Sequence, residues 1–377
     1  MTGASANGIT DDVVVHIRER LLTFYDVSAR DLPWRGRGDA YAIWVSEVMA
    51  QQTRIDTVIP YWHRWMTRFP DVDALADAPV DDVLKQWEGL GYYSRARNLH
   101  RAAQLVRERH AGRVPSDPDA LRALPGVGDY TAGAVASMAY GRRAPAVDGN
   151  VRRVLARLLD EPAPSPARLR EVAARLVPAD RPGDFNQALM ELGSQVCTPR
   201  APACAACPIS VPCAARAAGT QLDRPARRSV KAVPEYDVAT LILRGPDGRV
   251  LLVRRPETGL LAGMWTFPGE ELAAGETAAD ASRRVARRLG VRTRRSPTPI
   301  GAVRHEFSHR REHYLCVLLD VTATQARAAS ANHTDRDWVG TDTSRHTLPR
   351  AQQRIHQLVF DPAGSRLQRR PQRQPAG

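Results

Sequence analysis

Apolar residues recur at three- and four-residue spacing through Val13–Tyr25, Trp44–Met49, Val83–Trp87 and Ala167–Leu176, the period of helices that bury one face. Pro70, the stretch 112–118 and the stretch 178–183 interrupt this pattern with proline and glycine, so residues 11–216 predict a helical domain. After Tyr236 the period shortens. Val238–Leu243 and Val250–Val253 are β-rich runs joined by Gly-Pro-Asp-Gly, which predicts a hairpin. Glu276–Leu289 predicts a helix and His313–Val321 a further strand, so residues 235–360 predict a smaller α+β domain and the whole chain is multidomain. Residues 1–10 predict a disordered N-terminus. The polar, Arg- and Pro-containing run 217–234 predicts an exposed interdomain linker, and the Arg-, Gln- and Pro-rich run 361–377 a disordered tail.

At 377 residues the chain is long enough for two separate cores. No apolar run approaches membrane-spanning length, and the N-terminus lacks a basic start followed by an apolar core. The expectation is a cytoplasmic, bacterial-type chain with no membrane association. The net charge of +13 suggests a polyanionic partner, but it is unevenly spread. Residues 1–215 carry 26 basic and 25 acidic side chains, whereas 235–377 carry 23 basic and 15 acidic. Any nucleic-acid face in the first part must therefore be a local patch. Lys85 and Lys231 are the only lysines; arginine supplies the rest.

Four of the five cysteines, Cys197, Cys204, Cys207 and Cys213, form a C-x6-C-x2-C-x5-C run. In a chain without a secretion signal such clustering points to metal ahead of disulfides. Zinc sites usually show paired C-x2-C or C…H spacings, and this run has one such pair. A single iron–sulfur cluster fits better, with structural zinc as the alternative.

Leu124-Pro125-Gly126-Val127-Gly128 lies between a short helix, capped near Ser116 or Asp117, and a helix of small residues around Thr131–Met138. The glycines allow a tight turn, and the amides opening the second helix suit a phosphate. This helix-hairpin-helix pattern, over 119–139, predicts sequence-independent DNA binding. Asp148 follows twenty residues after Gly128, before Gly149-Asn150; it reads as a helix N-cap or as a carboxylate aimed at bound DNA.

Hairpin, Asp148 and the cysteine run (197–213) together resemble the iron–sulfur branch of the helix-hairpin-helix DNA glycosylase superfamily, which contains endonuclease III and MutY-type adenine DNA glycosylases. Endonuclease III carries a nucleophilic lysine where this chain has Tyr130. Val45-Ser46-Glu47-Val48-Met49-Ala50-Gln51-Gln52-Thr53, Asp31–Arg35 and Gly89–Arg95 resemble the MutY segments. The resemblance implies a monomer carrying one 4Fe–4S cluster on those four cysteines and acting on double-stranded DNA with adenine opposite 8-oxoguanine or guanine. It implies Glu47 as the acid that protonates adenine N7 and Asp148 as the carboxylate that stabilises the sugar cation, an acid-plus-carboxylate pair of the glycoside-hydrolysis kind. Glu47 then needs a raised pKa and Asp148 must stay ionised. Tyr130 and Asn150 would hold the reacting sugar and Asp148. Gln52 and Tyr92 would enter the duplex, and Trp34, Arg35 and Gln187 would line the adenine pocket. The rival functions are an endonuclease III-like glycosylase/lyase for oxidised pyrimidines and a catalytically silent mismatch-binding protein.

Residues 235–360 resemble the Nudix-like C-terminal domain of the same family. In the segment Arg283–Gly290 arginine stands at all three positions where a working Nudix hydrolase carries glutamate ligands. The resemblance implies DNA binding without nucleotide hydrolysis, with the basic helix on phosphates and with Phe307, Ser308 and His309 inspecting the base opposite adenine. Cys316 lies in an apolar run and predicts a core thiol.

Overall fold

The computed structural model describes residues 9–226, 232–331 and 333–361. The disordered N-terminus and tail expected from the sequence fall almost wholly outside the described residues, as do part of the linker and Lys231. Two compact units divide the chain, one comprising 1–86 and 92–229, the other 87–91 and 230–377.

The first unit is helical. One core joins Asp11–Ser28, Gly149–Leu158, Pro166–Leu176 and Pro182–Glu191 through Ile17, Leu21, Leu155, Leu176 and Phe185, each fully buried. A second set of helices, including Ala40–Ala50, Ile55–Arg68, Ser94–His110, Pro118–Arg122 and Asp129–Tyr140, buries Trp44, Trp62, Trp65 and Leu99. Helix starts are locally encoded. Asp39, Asp117 and Ser165 accept backbone amide hydrogens of the first turn, satisfying donors that a helix leaves open. Ala40–Ala50 is buried at every position from Tyr41 to Met49, so it is a central helix and not the one-faced helix its spacing predicts. Gly133 lets the backbone at Pro145 come close to the helix Asp129–Tyr140: a Cβ there would lie 2.0 Å from the Pro145 carbonyl oxygen.

The run expected as an exposed linker departs from that expectation over Thr220–Ala226. Thr220 donates to the Asp160 carboxylate at 2.5 Å, Arg224 pairs with the same carboxylate at 2.8 Å, and the Ala226 amide donates to the Pro162 carbonyl at 2.7 Å. A polar composition cannot distinguish a solvated linker from one whose polar groups are bonded to a neighbour.

The second unit is a mixed sheet of strands β1 (Glu235–Arg244), β2 (Val250–Arg254), β3 (Trp265–Thr266), β4 (Gly269–Glu271), β5 (Thr298–Glu306), β6 (Arg311–Asp320) and β7 (Arg336–Val339). The path runs β3-β2-β1-β6-β5, with β4 on β1 and β7 on β2. The Gly-Pro-Asp-Gly turn forms, but β1 meets β2 only at Arg244–Val250; its long ladder runs parallel to β6 over ten pairs. Local turn chemistry cannot reveal that distant partner. Helix Ala278–Arg288, capped by Thr277, covers one face through Val285 and Leu289, and Arg350–Phe360 covers the other through Ala351 and Ile355. The middle of β1 is a continuous run buried on both faces, apolar apart from Thr240. Cys316 is buried in β6, where desolvation pushes its thiol up to about 12.

Candidate active site and DNA-facing surfaces

A cavity of about 910 Å³ in the helical unit is lined by Trp34, Arg35, Glu47, Gln52, Tyr92, Tyr130, Asp148, Asn150 and Gln187 among others. Nine positions spread over more than 150 residues of chain thus meet at one place.

Glu47 sits on the buried helix Ala40–Ala50 and is 9% exposed. Desolvation pushes its carboxyl up to about 7; the Tyr130 hydroxyl, donating at 2.5 Å, opposes this, and the nearby Asp148 carboxylate adds to it. Tyr130 itself is held protonated by burial and by the Glu47 and Asp148 carboxyls. Its hydroxyl also lies 3.6 Å from the Met190 sulfur.

Asp148 is the N-cap of Gly149–Leu158: Oδ1 accepts the Val151 amide at 2.7 Å and Oδ2 the Asn150 side-chain amide at 2.9 Å. The two readings open in the sequence are therefore compatible, because one carboxylate both caps the helix and faces the cavity. Burial raises its pKa, while the Val151 and Asn150 hydrogen bonds and Arg153 pull it down, leaving a net rise. Both carboxyls thus move upward, each chiefly because it is buried, and the Asp148 charge adds to the rise at Glu47.

Beyond these two, Trp34 is 7% exposed and tilted against Trp62 at 5.8 Å. Arg35 bonds Gln187 at 2.8 Å and Glu191 at 2.6 Å. Glu191 is wholly buried. Burial alone would raise its pKa, but hydrogen bonds from Arg30 and Arg35 bring it below the usual range. This makes Glu191 a fixed anion behind Arg35.

Gln52 and Tyr92 are both exposed at the cavity rim, and both hold left-handed backbone, with φ of 55° and 47°. Such a conformation is unfavourable for side-chain-bearing residues and collects at functional positions. In the hairpin, Gly126 has φ 77°, and a Cβ on it would lie 2.7 Å from the Asn98 Cβ. Gly128 is the exposed N-cap of Asp129–Tyr140, which has no side-chain cap. Leu124 and Val127, expected among the DNA-contacting positions, are 5% and 7% exposed. Their side chains fill the hairpin's interior, and only the backbone of that turn is open to a ligand.

Cys197, Cys204, Cys207 and Cys213 line one small pocket, reached through a π-helical turn at Leu192–Val196. Desolvation pushes Cys207 up to about 11, and the other three sulfurs add to the shift, which marks their proximity. Among the described residues no group of three or more His, Cys, Asp or Glu side chains is arranged to hold a single metal ion.

Two arginines bond to this loop, one of them also to Asn150 of the active site, and no sequence motif marks either. Arg157, 2% exposed, donates to the carbonyls of Cys197, Thr198 and Arg224 and lies 3.1 Å from the Cys197 sulfur. Arg153 bridges the Cys197 carbonyl at 2.8 Å and the Asn150 side chain at 3.0 Å. Their four-residue spacing places them on one helix face, the available signal, but their partners in and next to the cysteine loop are 40 residues away or more in sequence. Gly193 seats the turn, since a Cβ there would lie 2.6 Å from the Asn150 Cβ.

In the second unit Phe307, Ser308 and His309 form the tip between β5 and β6, closed by the Phe307 amide donating to the Arg310 carbonyl at 2.8 Å. Phe307 packs edge-on to His305, and Ser308 and His309 are exposed. On the arginine-rich helix, Arg287 is exposed and three other arginines pair with carboxylates at the surface. Arg283 pairs with Asp280, Arg284 with Glu270 and Glu276, and Arg288 with Glu270. These cations are held by carboxylates of the protein.

The family description "HhH-GPD superfamily base excision DNA repair protein" matches residues 45–179, and "NUDIX domain" matches residues 239–358. The adenine DNA glycosylase of Homo sapiens is 41% identical over 313 residues, covering 68% of this chain and 57% of that protein. That of Mycolicibacterium smegmatis is 46% identical over 212 residues, covering 55% and 72%. A thermostable thymine-DNA glycosylase structure is similar at a TM-score of 0.52 and 30% identity, over 55% of this chain and 98% of that one. The chain spans about half the length of the human and Arabidopsis thaliana relatives.

Proposed function

Because the chain belongs to the adenine DNA glycosylase family, we propose that it hydrolyses the N-glycosidic bond of adenine mispaired with 8-oxoguanine, and with guanine more weakly, leaving an abasic site. The observation that carries this is Glu47: a carboxyl raised to about 7, in the same cavity as a capped Asp148. Raised to about 7, Glu47 can hold a proton near neutrality and give it to the extruded adenine at N7. Asp148, whose oxygens already accept from Val151 and Asn150, offers negative charge to the oxocarbenium-like sugar as the bond breaks, and water completes the hydrolysis. Arg35, held by Glu191 and Gln187, places charge and donors on the base side of the cavity.

The four thiols fit a 4Fe–4S cluster. All four line one small pocket, and their C-x6-C-x2-C-x5-C spacing, with a single C-x2-C pair, supports a cluster held by four thiolates. Bound there, the cluster would supply metal–thiolate bonds that close the loop against Arg157. Phe307, Ser308 and His309 would meet the base opposite adenine.

A lyase route is disfavoured. Tyr130, held protonated, replaces the amine nucleophile, and Lys85 does not line the cavity. The test is single-turnover adenine release from duplexes with adenine opposite 8-oxoguanine, guanine or thymine, with borohydride added in parallel. Release fastest opposite 8-oxoguanine without covalent trapping supports the reading. No release opposite 8-oxoguanine overturns it, and efficient trapping points to the glycosylase/lyase alternative.

A further inference from the structure

Gln52 and Tyr92 come from different loops, yet their strained backbones stand at one cavity rim. Between them lies Arg95, 8% exposed. Its Nη1 donates to the carbonyls of Val48, Met49 and Gln51 at 2.9, 2.9 and 2.6 Å, and Nη2 donates to the Thr53 hydroxyl at 3.2 Å. The guanidinium carbon lies 5.5 Å from the centre of the Tyr92 ring. One cation thus satisfies open carbonyls at the end of Ala40–Ala50, where the helix dipole is negative. It also grips the residues on both sides of Gln52 and supports the Tyr92 ring from beneath.

We infer that Arg95 is a positioning residue that locks the Gln52 turn and the Tyr92 ring into a single rigid wedge, so that adenine is extruded against a preformed edge. The inference rests on the reading of Gln52 and Tyr92 as the residues that enter the duplex. Without the guanidinium, three carbonyls and one ring lose a shared partner, and both left-handed residues can relax independently. Lysine keeps the charge but not the planar fork that reaches carbonyls, hydroxyl and ring together.

The experiment uses the full chain and duplexes carrying 2-aminopurine, a fluorescent adenine analogue, opposite 8-oxoguanine; its emission rises on unstacking. Arg95→Lys should lower the extrusion signal and the single-turnover rate together by about tenfold or more. The pH at which the rate falls should not move, because that pH belongs to Glu47. In a Tyr92→Leu background the same lysine should cost less than about twofold more, since the two act as one unit. Should Arg95→Lys fold poorly, Thr53→Val removes one arm alone and should give a smaller loss in the same signal. A normal extrusion signal in either variant overturns the inference, as do losses that multiply with Tyr92→Leu or a pH limb that shifts with Arg95. A wild-type chain that releases no adenine would sink the glycosylase reading while leaving the extrusion signal to judge Arg95.

Discussion

The hydroxyl of Tyr130 donates a hydrogen bond to the carboxyl of Glu47 at 2.5 Å. Burial raises the Glu47 pKa, and this bond, which favours the ionised form, restrains the rise. Tyr130→Phe should therefore raise the Glu47 pKa above about 7. Glu47 acts when protonated, so activity is present below its pKa and lost as pH rises through it. The alkaline limb of the single-turnover pH–rate profile should move to higher pH in the phenylalanine variant. A limb that stays fixed or moves down would contradict the proposed role.

Glu47→Gln should reduce adenine release by at least about a hundredfold while mispair binding persists, because proton donation contributes on that scale. The same change bears on stability. A carboxyl at 4.5 unfolded and about 7 folded leaves stability intact below 4.5 and removes it as pH rises through 7. Glutamine abolishes that loss, so at pH 8 the variant should be more stable by roughly 3 kcal/mol. Urea denaturation of both proteins at pH 4.5 and pH 8 measures the difference, and equal gaps at the two pH values would refute it.

Asp148→Asn retains a side chain able to accept the Val151 amide, so the helix cap and the fold should persist while turnover is lost. Asp148→Ala should lose turnover and also about 1 kcal/mol of stability with the cap. Thermal unfolding alongside adenine release separates the two effects; full turnover in the asparagine variant would reassign the carboxylate.

Arg157→Met removes the donor that the half-buried Cys197 and Thr198 carbonyls of the cysteine loop share with the Arg224 carbonyl. An acceptor left unsatisfied costs about 1–3 kcal/mol when buried and less where water reaches it, and three lost together should loosen the loop and its hold on iron. Iron content per chain and the visible absorbance of the purified protein report it. Undiminished iron would show that the thiols hold the cluster without Arg157.

Arg284 and Arg288 occupy the carboxylates Glu270 and Glu276. The chain should accordingly hydrolyse no oxidised nucleoside triphosphate in the presence of magnesium. Pyrophosphate release above the rate of a boiled control would contradict this.

Local chemistry alone determined much of this protein. The helical period before residue 216, the aspartates and serine that cap helices, the glycines of the hairpin and the apolar middle of β1 all act over a few residues. Glu47, Asp148 and the four cysteines could likewise be named from short motifs. What tertiary structure decided were relationships between distant segments. Glu47 has its raised pKa because Ala40–Ala50 is buried on every side, which its own spacing does not imply. β1 lies along β6, seventy-six residues away, and not along its hairpin neighbour. The arginines after Thr277 read as a row of cations, and only the fold brings Glu270 and Glu276 against Arg284 and Arg288. Arg95, Arg153 and Arg157 are ordinary arginines in sequence. Their importance comes from the carbonyls and rings that folding sets around them, since a guanidinium's energy depends on which partners it reaches and how little water remains.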